Sequence, residues 1–246
     1  VPATGCTLDK AIRPSSFTSD KSMTIQGGAD KNNLHELVAA SDKRHFTVNK
    51  AYTLHLSYLK LTCRSSRHGG ITTWGNVYIK GVHFDGYYDD TTKNADSGGA
   101  ISVAKDGAVP QLVISDSTFE NFKAVYFGGA IFATGVGTNV SIASSTFKSN
   151  LVLGMTGGGA FYASGGVQLT VDDTTFVSNT GPRGGAIGLK SVGTNAFISS
   201  STFTSNVAIA YTGYVSGGAI HAIDGVQLTV ADTTFASNLG RGGGAV

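Results

Sequence analysis

Three aspartates, Asp116, Asp173 and Asp232, each stand three residues ahead of a phenylalanine, at Phe119, Phe176 and Phe235. They are the carboxylates of this chain most regularly placed for acid–base chemistry. Cleaving a glycan takes two carboxyl groups, one protonated and one ionised, held on opposite sides of the bond. Two intervening repeats carry Ser144 and Ser200 at the same position, so the aspartates fall on alternate units. In a stacked repeat that separates them by roughly 10 Å, a distance that suits an inverting pair. No partner acid or base follows at a fixed offset, and aspartate is a common turn residue. The expected role of this column is therefore structural. Asp172 with Asp173, and His221 with Asp224, are the next carboxylate and imidazole candidates. His35, His45, His55, His68 and His83 show no metal-ligand spacing. No glycine-rich loop opens a helix to cradle phosphate. No cofactor and no metal is expected.

Binding chemistry has better candidates. Segments of variable length precede each Gly-Gly-Ala, at 85–97, 122–127, 151–157, 180–183, 207–216 and 239–242. Insertions on one face of a solenoid often mark its binding face. These segments carry Tyr87, Tyr88, Tyr126, Phe127, Tyr211 and Tyr214. Such rings stack on sugars or anchor a protein partner; the alternative is that they pack on the coil beside them. Cys6 and Cys63 are the two cysteines, and a disulfide between them is one reading, two buried thiols the other. A glycosylation sequon, Asn139-Val140-Ser141, falls inside an expected strand.

The elements that position these residues come from a repeat. Gly-Gly-Ala followed by an apolar residue occurs six times, beginning at Gly98, Gly128, Gly158, Gly184, Gly217 and Gly243. Between copies lies Ser/Thr-Thr-Phe-x-x-Asn, as in Phe147 with Asn150, Phe176 with Asn179, Phe203 with Asn206 and Phe235 with Asn238. Aligned on Phe119, Phe147, Phe176, Phe203 and Phe235, the units are 28, 29, 27 and 32 residues long. Apolar residues recur seven and five positions before each phenylalanine, and the register extends upstream through Phe84 and Leu61. Alternation at period two predicts strands with one buried face. Three short strands fit each unit, and no unit can close a core alone. The fold class expected is all-β: a single-stranded parallel β-helix of about eight coils over residues 22–246, with a short cap at 1–21. The phenylalanines should stack inside, and the asparagines should bond backbone and neighbouring asparagines at a corner. The glycine pairs should supply positive φ or a close backbone approach. Residues 8–12 are expected to form a short capping helix, 22–27 the first strand, and 45–48 the start of the next coil. The last four residues open another Gly-Gly-Ala strand, so the helix is expected to continue beyond residue 246 or to be cut there.

Composition narrows the function classes. Charged residues make up 14%, against about 25% in ordinary domains. The net charge is +2, without the basic footprint of a nucleic-acid binder. No apolar run of transmembrane length occurs. Low charge and abundant Ser and Thr point to an extracellular or cell-surface, secreted setting.

Gly-Gly-Ala-Ile alternating with Phe-x-x-Asn resembles the repeats of chlamydial polymorphic outer-membrane proteins, over roughly residues 76–246. Two units depart from the pattern: Phe119 is followed by Phe122, and Phe84 by Tyr87. The upstream part is similar to pectate-lyase-like β-helices. The resemblance implies a right-handed β-helix displayed at a cell surface as an adhesin or passenger. The function expected is a non-enzymatic structural or adhesive scaffold. Its expected partners are further coils, other protein subunits and surface glycans. A polysaccharide lyase or hydrolase on the same fold is the alternative. Thr118, Thr146, Thr175, Thr202 and Thr234 also form a ladder that resembles the ice-binding faces of β-helical antifreeze proteins. The neighbouring Glu120, Lys148, Val177, Thr204 and Ala236 interrupt it.

Overall fold

Apolar and polar residues alternate along each five-residue strand, and the alternation becomes burial. In Gln111–Ser115, Leu112 and Ile114 point inward and Gln111, Val113 and Ser115 outward. The computed structural model describes residues 6–8, 21–39, 43–63, 70–86, 95–107, 109–209 and 216–245. Every strand pairing among them is parallel, each strand meeting its counterpart one coil away; together they build a parallel β-solenoid. One sheet stacks eight strands, from Ser22–Gln26 to Gln227–Ala231, in unbroken order, and so spans seven steps from coil to coil. A second, the phenylalanine sheet, has nine strands and ends at Thr234–Ala236. A third, the Gly-Gly-Ala sheet, runs in seven strands from Phe46–Val48 to Ile220–Ile223.

Two expectations need correction. Five of the repeats hold a fourth short strand beside the expected three. Ala95–Ser97, Lys123–Phe127, Leu151–Val152, Thr180–Gly181 and Val207–Ala208 form a five-stranded sheet inside what read as loops. Also, Leu8 lies in a strand. Cys6–Leu8 pairs with His35–Ala39 and begins the phenylalanine sheet; the rest of the expected capping helix lies outside the described residues. Ser22–Gln26 and Phe46–Val48 fall where the first strand and the next coil were expected.

The interior is a set of columns. Phe84, Phe119, Phe147, Phe176, Phe203 and Phe235 stack ring on ring, with centroids 4.5 to 5.1 Å apart and planes within 14°. That spacing is the distance between paired strands, about 4.8 Å. Leu61 and Leu37 continue the column upstream, Leu61 pairing with Phe84 and Leu37 with Leu61. Beside it runs an asparagine ladder. The amide nitrogen Nδ2 of Asn179 donates to the Phe147 carbonyl at 2.9 Å and to Asn206 Oδ1 at 3.0 Å. Asn150 and Asn206 repeat that geometry toward their own neighbours. Where the pattern breaks, Phe122 takes the ladder position, fully buried. Its backbone N–H still donates to Asn150 Oδ1 at 3.1 Å.

Corners use left-handed backbone. Asp116, Ser144, Asp173, Ser200 and Asp232 all have φ between 45° and 50°, a region that short polar side chains tolerate.

Candidate functional site

The aspartate column belongs to that corner. Asp173 Oδ2 accepts a hydrogen bond from the Ser144 hydroxyl at 3.0 Å, and Asp172 Oδ1 accepts one from Ser199 at 2.7 Å. These carboxylates tie neighbouring coils together.

The aromatic candidates divide. Tyr87, Tyr88, Tyr211 and Tyr214 lie outside the described residues. Tyr126 and Phe127 end the strand Lys123–Phe127, and Tyr126 is 54% exposed. The Phe127 ring folds onto the outer surface of the Gly-Gly-Ala sheet. There it meets Phe132 at 5.2 Å and Tyr162 at 5.1 Å between centroids. Phe132 and Tyr162 are partners in adjacent strands, 6.2 Å apart. The next outward positions are Gly188 and then His221. Gly188 leaves room for the tyrosine: a Cβ there would stand 2.9 Å from Tyr162 Cδ2. Beside these rings is a groove of about 320 Å³, lined also by Thr156, Ser164, Lys190 and Ser191.

Electrostatics concentrate at the groove's C-terminal side. Lys190 pairs with Asp224 at 3.7 Å, both partly exposed, so the pair adds little stability. Burial raises the Tyr162 hydroxyl pKa; Arg183 opposes this and Asp224 adds to it. Burial lowers the His221 pKa, Arg183 lowers it further, and Asp224 pulls it back. His221 and Asp224, paired in the sequence reading, thus share a neighbourhood with Arg183.

A second cluster lies on the outer surface of the phenylalanine sheet. Lys60 bridges Asp85 at 3.4 Å and Glu36 at 3.8 Å. His83 Nε2 meets Glu120 Oε1 at 2.8 Å, Thr62 donates to Glu36, and Asp85 and Glu120 are cross-strand partners. The residues of this strip stand one before and one after Leu37, Leu61, Phe84 and Phe119 in the register, but their types change from coil to coil, so no repeat marks them. Phe132 and Tyr162 escaped notice for the same reason. Their outward position holds Thr72, Ser102, Gly188 and His221 on other coils, so no repeat marks it.

The Cys6–Cys63 pairing is not made: Cys63 is a free, buried thiol. Cys6 is the strand partner of Leu37, and Leu37 of Leu61, so Cys63 stands two coils away and two residues farther along. That places the two Cα atoms roughly 12 Å apart, beyond the ~7 Å a disulfide spans. Cys63 instead contacts His45. Its Sγ is 3.8 Å from His45 Nδ1, and His45 Nε2 lies 3.0 Å from the Leu37 carbonyl oxygen. The bond to that carbonyl requires the proton on Nε2, which leaves Nδ1 to accept from the thiol. Burial, with help from Asp85, pushes the Cys63 pKa up to about 12. The thiolate is the reactive form. Iodoacetamide is therefore expected to label Cys63 only after denaturation, as read by peptide mass mapping.

Burial lowers the His45 pKa to about 4, the bond to Leu37 opposing it. The unfolded imidazole binds its proton near pH 6.5. Between those values the unfolded state holds more protons, so stability falls as pH drops through the window and is level above it. The loss at the bottom of the window is up to about 3 kcal/mol. Urea unfolding at about pH 7 and about pH 4.5 should show it, and His45→Gln should remove most of the difference.

Among the described residues no group of three or more His, Cys, Asp or Glu is arranged to hold a metal ion. No helix there is long and apolar enough to cross a membrane. Asn139 of the sequon is exposed at the start of its strand. Comparison of the chain with protein-family models, with curated proteins and with solved structures finds no match.

Proposed function

We propose that this chain is a non-enzymatic, extracellular structural or adhesive β-solenoid, a scaffold that meets its partners along its sides. The observation that carries the reading is where the repeated residues go. The phenylalanines fill the core and the asparagines bond carbonyls and each other across coils. The aspartates occupy left-handed corners, where Asp173 accepts from Ser144 of the neighbouring coil. The likeness of the alternating motifs to chlamydial surface repeats agrees with a cell-surface setting. Partners are further coils or other subunits, and glycans.

A second reading, a polysaccharide-acting enzyme, draws on the strip of Asp85 and Glu120. Cross-strand carboxylates about 5 Å apart suit a retaining glycosidase, and Lys60 and His83 stand beside them. Against it, these side chains engage one another across an open sheet. The test is incubation of the purified chain with a panel of plant, algal and bacterial polysaccharides, following new reducing ends and unsaturated products. The expected result is no turnover. Turnover abolished by Asp173→Asn or Glu120→Gln would overturn the scaffold reading.

A further inference from the structure

We infer that the groove beside Phe127, Phe132 and Tyr162 is a binding site for a neutral saccharide ring. The inference rests on the contact-scaffold reading above and names the ligand of one face.

Three observations converge. First, three aromatic rings from two sheets gather on the outward side of the Gly-Gly-Ala sheet, Phe127 stacking on both Phe132 and Tyr162. Their centroids lie 5.1, 5.2 and 6.2 Å apart. Equivalent outward positions on other coils carry Thr72, Ser102 and Gly188 and the sheet closes equally well there. Second, the rings stop short of filling the space. A groove of about 320 Å³ remains, at the low end of the ~300–1,000 Å³ typical of ligand sites. Third, the rest of its lining is hydroxyl and ion pair. Thr156, Ser164 and Ser191 supply hydroxyls, and Lys190, held by Asp224, supplies a donor.

That mixture selects among ligand chemistries. A purely apolar side chain would desolvate the three hydroxyls without pairing them, which costs free energy for each. An anion would compete with Asp224 for Lys190, the cation among the described residues that line the groove. A sugar ring presents an apolar C–H face to the partly exposed Phe127 and Phe132 and hydroxyls, both donor and acceptor, to the polar side. Hydroxyl-bearing side chains give and accept in the same way. Tyr162 is 5% exposed and bedded on Gly188, so its ring is fixed before any ligand arrives, and preorganisation lowers the cost of binding.

The experiment is titration calorimetry of the purified chain with soluble cello-, laminari- and manno-oligosaccharides, and with an oligogalacturonate as the acidic comparison. At least one neutral oligosaccharide should bind, and more tightly than the acidic one. Phe132→Ala should weaken that binding roughly tenfold or more. Ser164→Arg, which fills the groove and leaves the rings in place, should do the same if Phe132→Ala proves unstable by circular dichroism. Phe197→Ala, exposed on the sheet of five-residue strands, should leave affinity unchanged. The inference falls if no neutral oligosaccharide binds at about 10 mM, weaker than any useful site. It also falls if binding survives both groove substitutions, if Phe197→Ala alone abolishes it, or if the acidic sugar binds better. Cleavage of a sugar bound in the groove would overturn the scaffold reading and leave the site standing; absence of both binding and cleavage would remove the site alone.

Discussion

Asn179→Ala is expected to destabilise the chain by about 4 kcal/mol. For a chain of this size that lowers the unfolding midpoint by roughly 8–16 °C. Asn179 is fully buried. Its Oδ1 accepts from the backbone N–H of Asn150 at 3.0 Å and from Asn150 Nδ2 at 2.9 Å. Its Nδ2 donates to the Phe147 carbonyl and to Asn206. Alanine leaves the Asn150 backbone N–H without its partner and takes one bond each from Asn150 Nδ2, Asn206 Oδ1 and the Phe147 carbonyl. An unpaired buried polar group costs about 1–3 kcal/mol. Asp at the same position restores the acceptor and loses the donor, so it should rescue little. Asn238 provides the internal control. It makes the same bonds to Asn206 and Phe203, yet it is only half-buried and solvent replaces what alanine removes. Its substitution should cost about 1 kcal/mol. Thermal melts followed by circular dichroism decide the matter. Equal losses at the two positions would mean that the ladder's strength does not come from burial.

The contrast shows what the sequence made legible. The asparagine and phenylalanine columns were readable because each coil repeats them at a fixed offset, and a repeat in sequence becomes a column in space. The corner aspartates were readable for the same reason, and their alternation with Ser144 and Ser200 signalled that a small polar residue suffices there. Features lost to sequence reading are those that no coil repeats. Phe132 and Tyr162 are neighbours through strand register, while Phe127 reaches them from another sheet. The ionic strip sets Lys60 and His83 in one outward column and Asp85 and Glu120 in another, and neither column repeats its residue type along the chain. Leu151–Val152 and Thr180–Gly181 are two residues long, too short to show a period of two. Cys6 and Cys63 could be judged only after the coils between them were counted.

Gly159→Ala is expected to cost upward of about 4 kcal/mol, because the clash is with backbone on the next coil. A Cβ on Gly159 would lie 2.1 Å from the Gly185 carbonyl oxygen and 2.6 Å from the Thr180 backbone. Relief would need the two coils to part. They are held by the bonds Gly159 N–H to Gly184 at 3.2 Å and Ala160 N–H to Ala186 at 2.9 Å. A Cβ on Gly129, Gly185 or Gly218 would likewise lie 2.0 to 2.3 Å from the next coil's glycine carbonyl oxygen, so the second glycine of the motif sets how closely successive corners approach. Gly107 separates this effect from backbone preference. It has φ +81° and open space where a Cβ would go, so alanine there carries only the left-handed penalty, about 1–2 kcal/mol. Urea titrations of both variants should therefore differ by a wide margin, with Gly159→Ala failing to fold or losing most of its stability. If the two cost the same, the close approach of successive corners does not set the coil separation, and the phenylalanine stack, locked to the same axial distance, must set it instead.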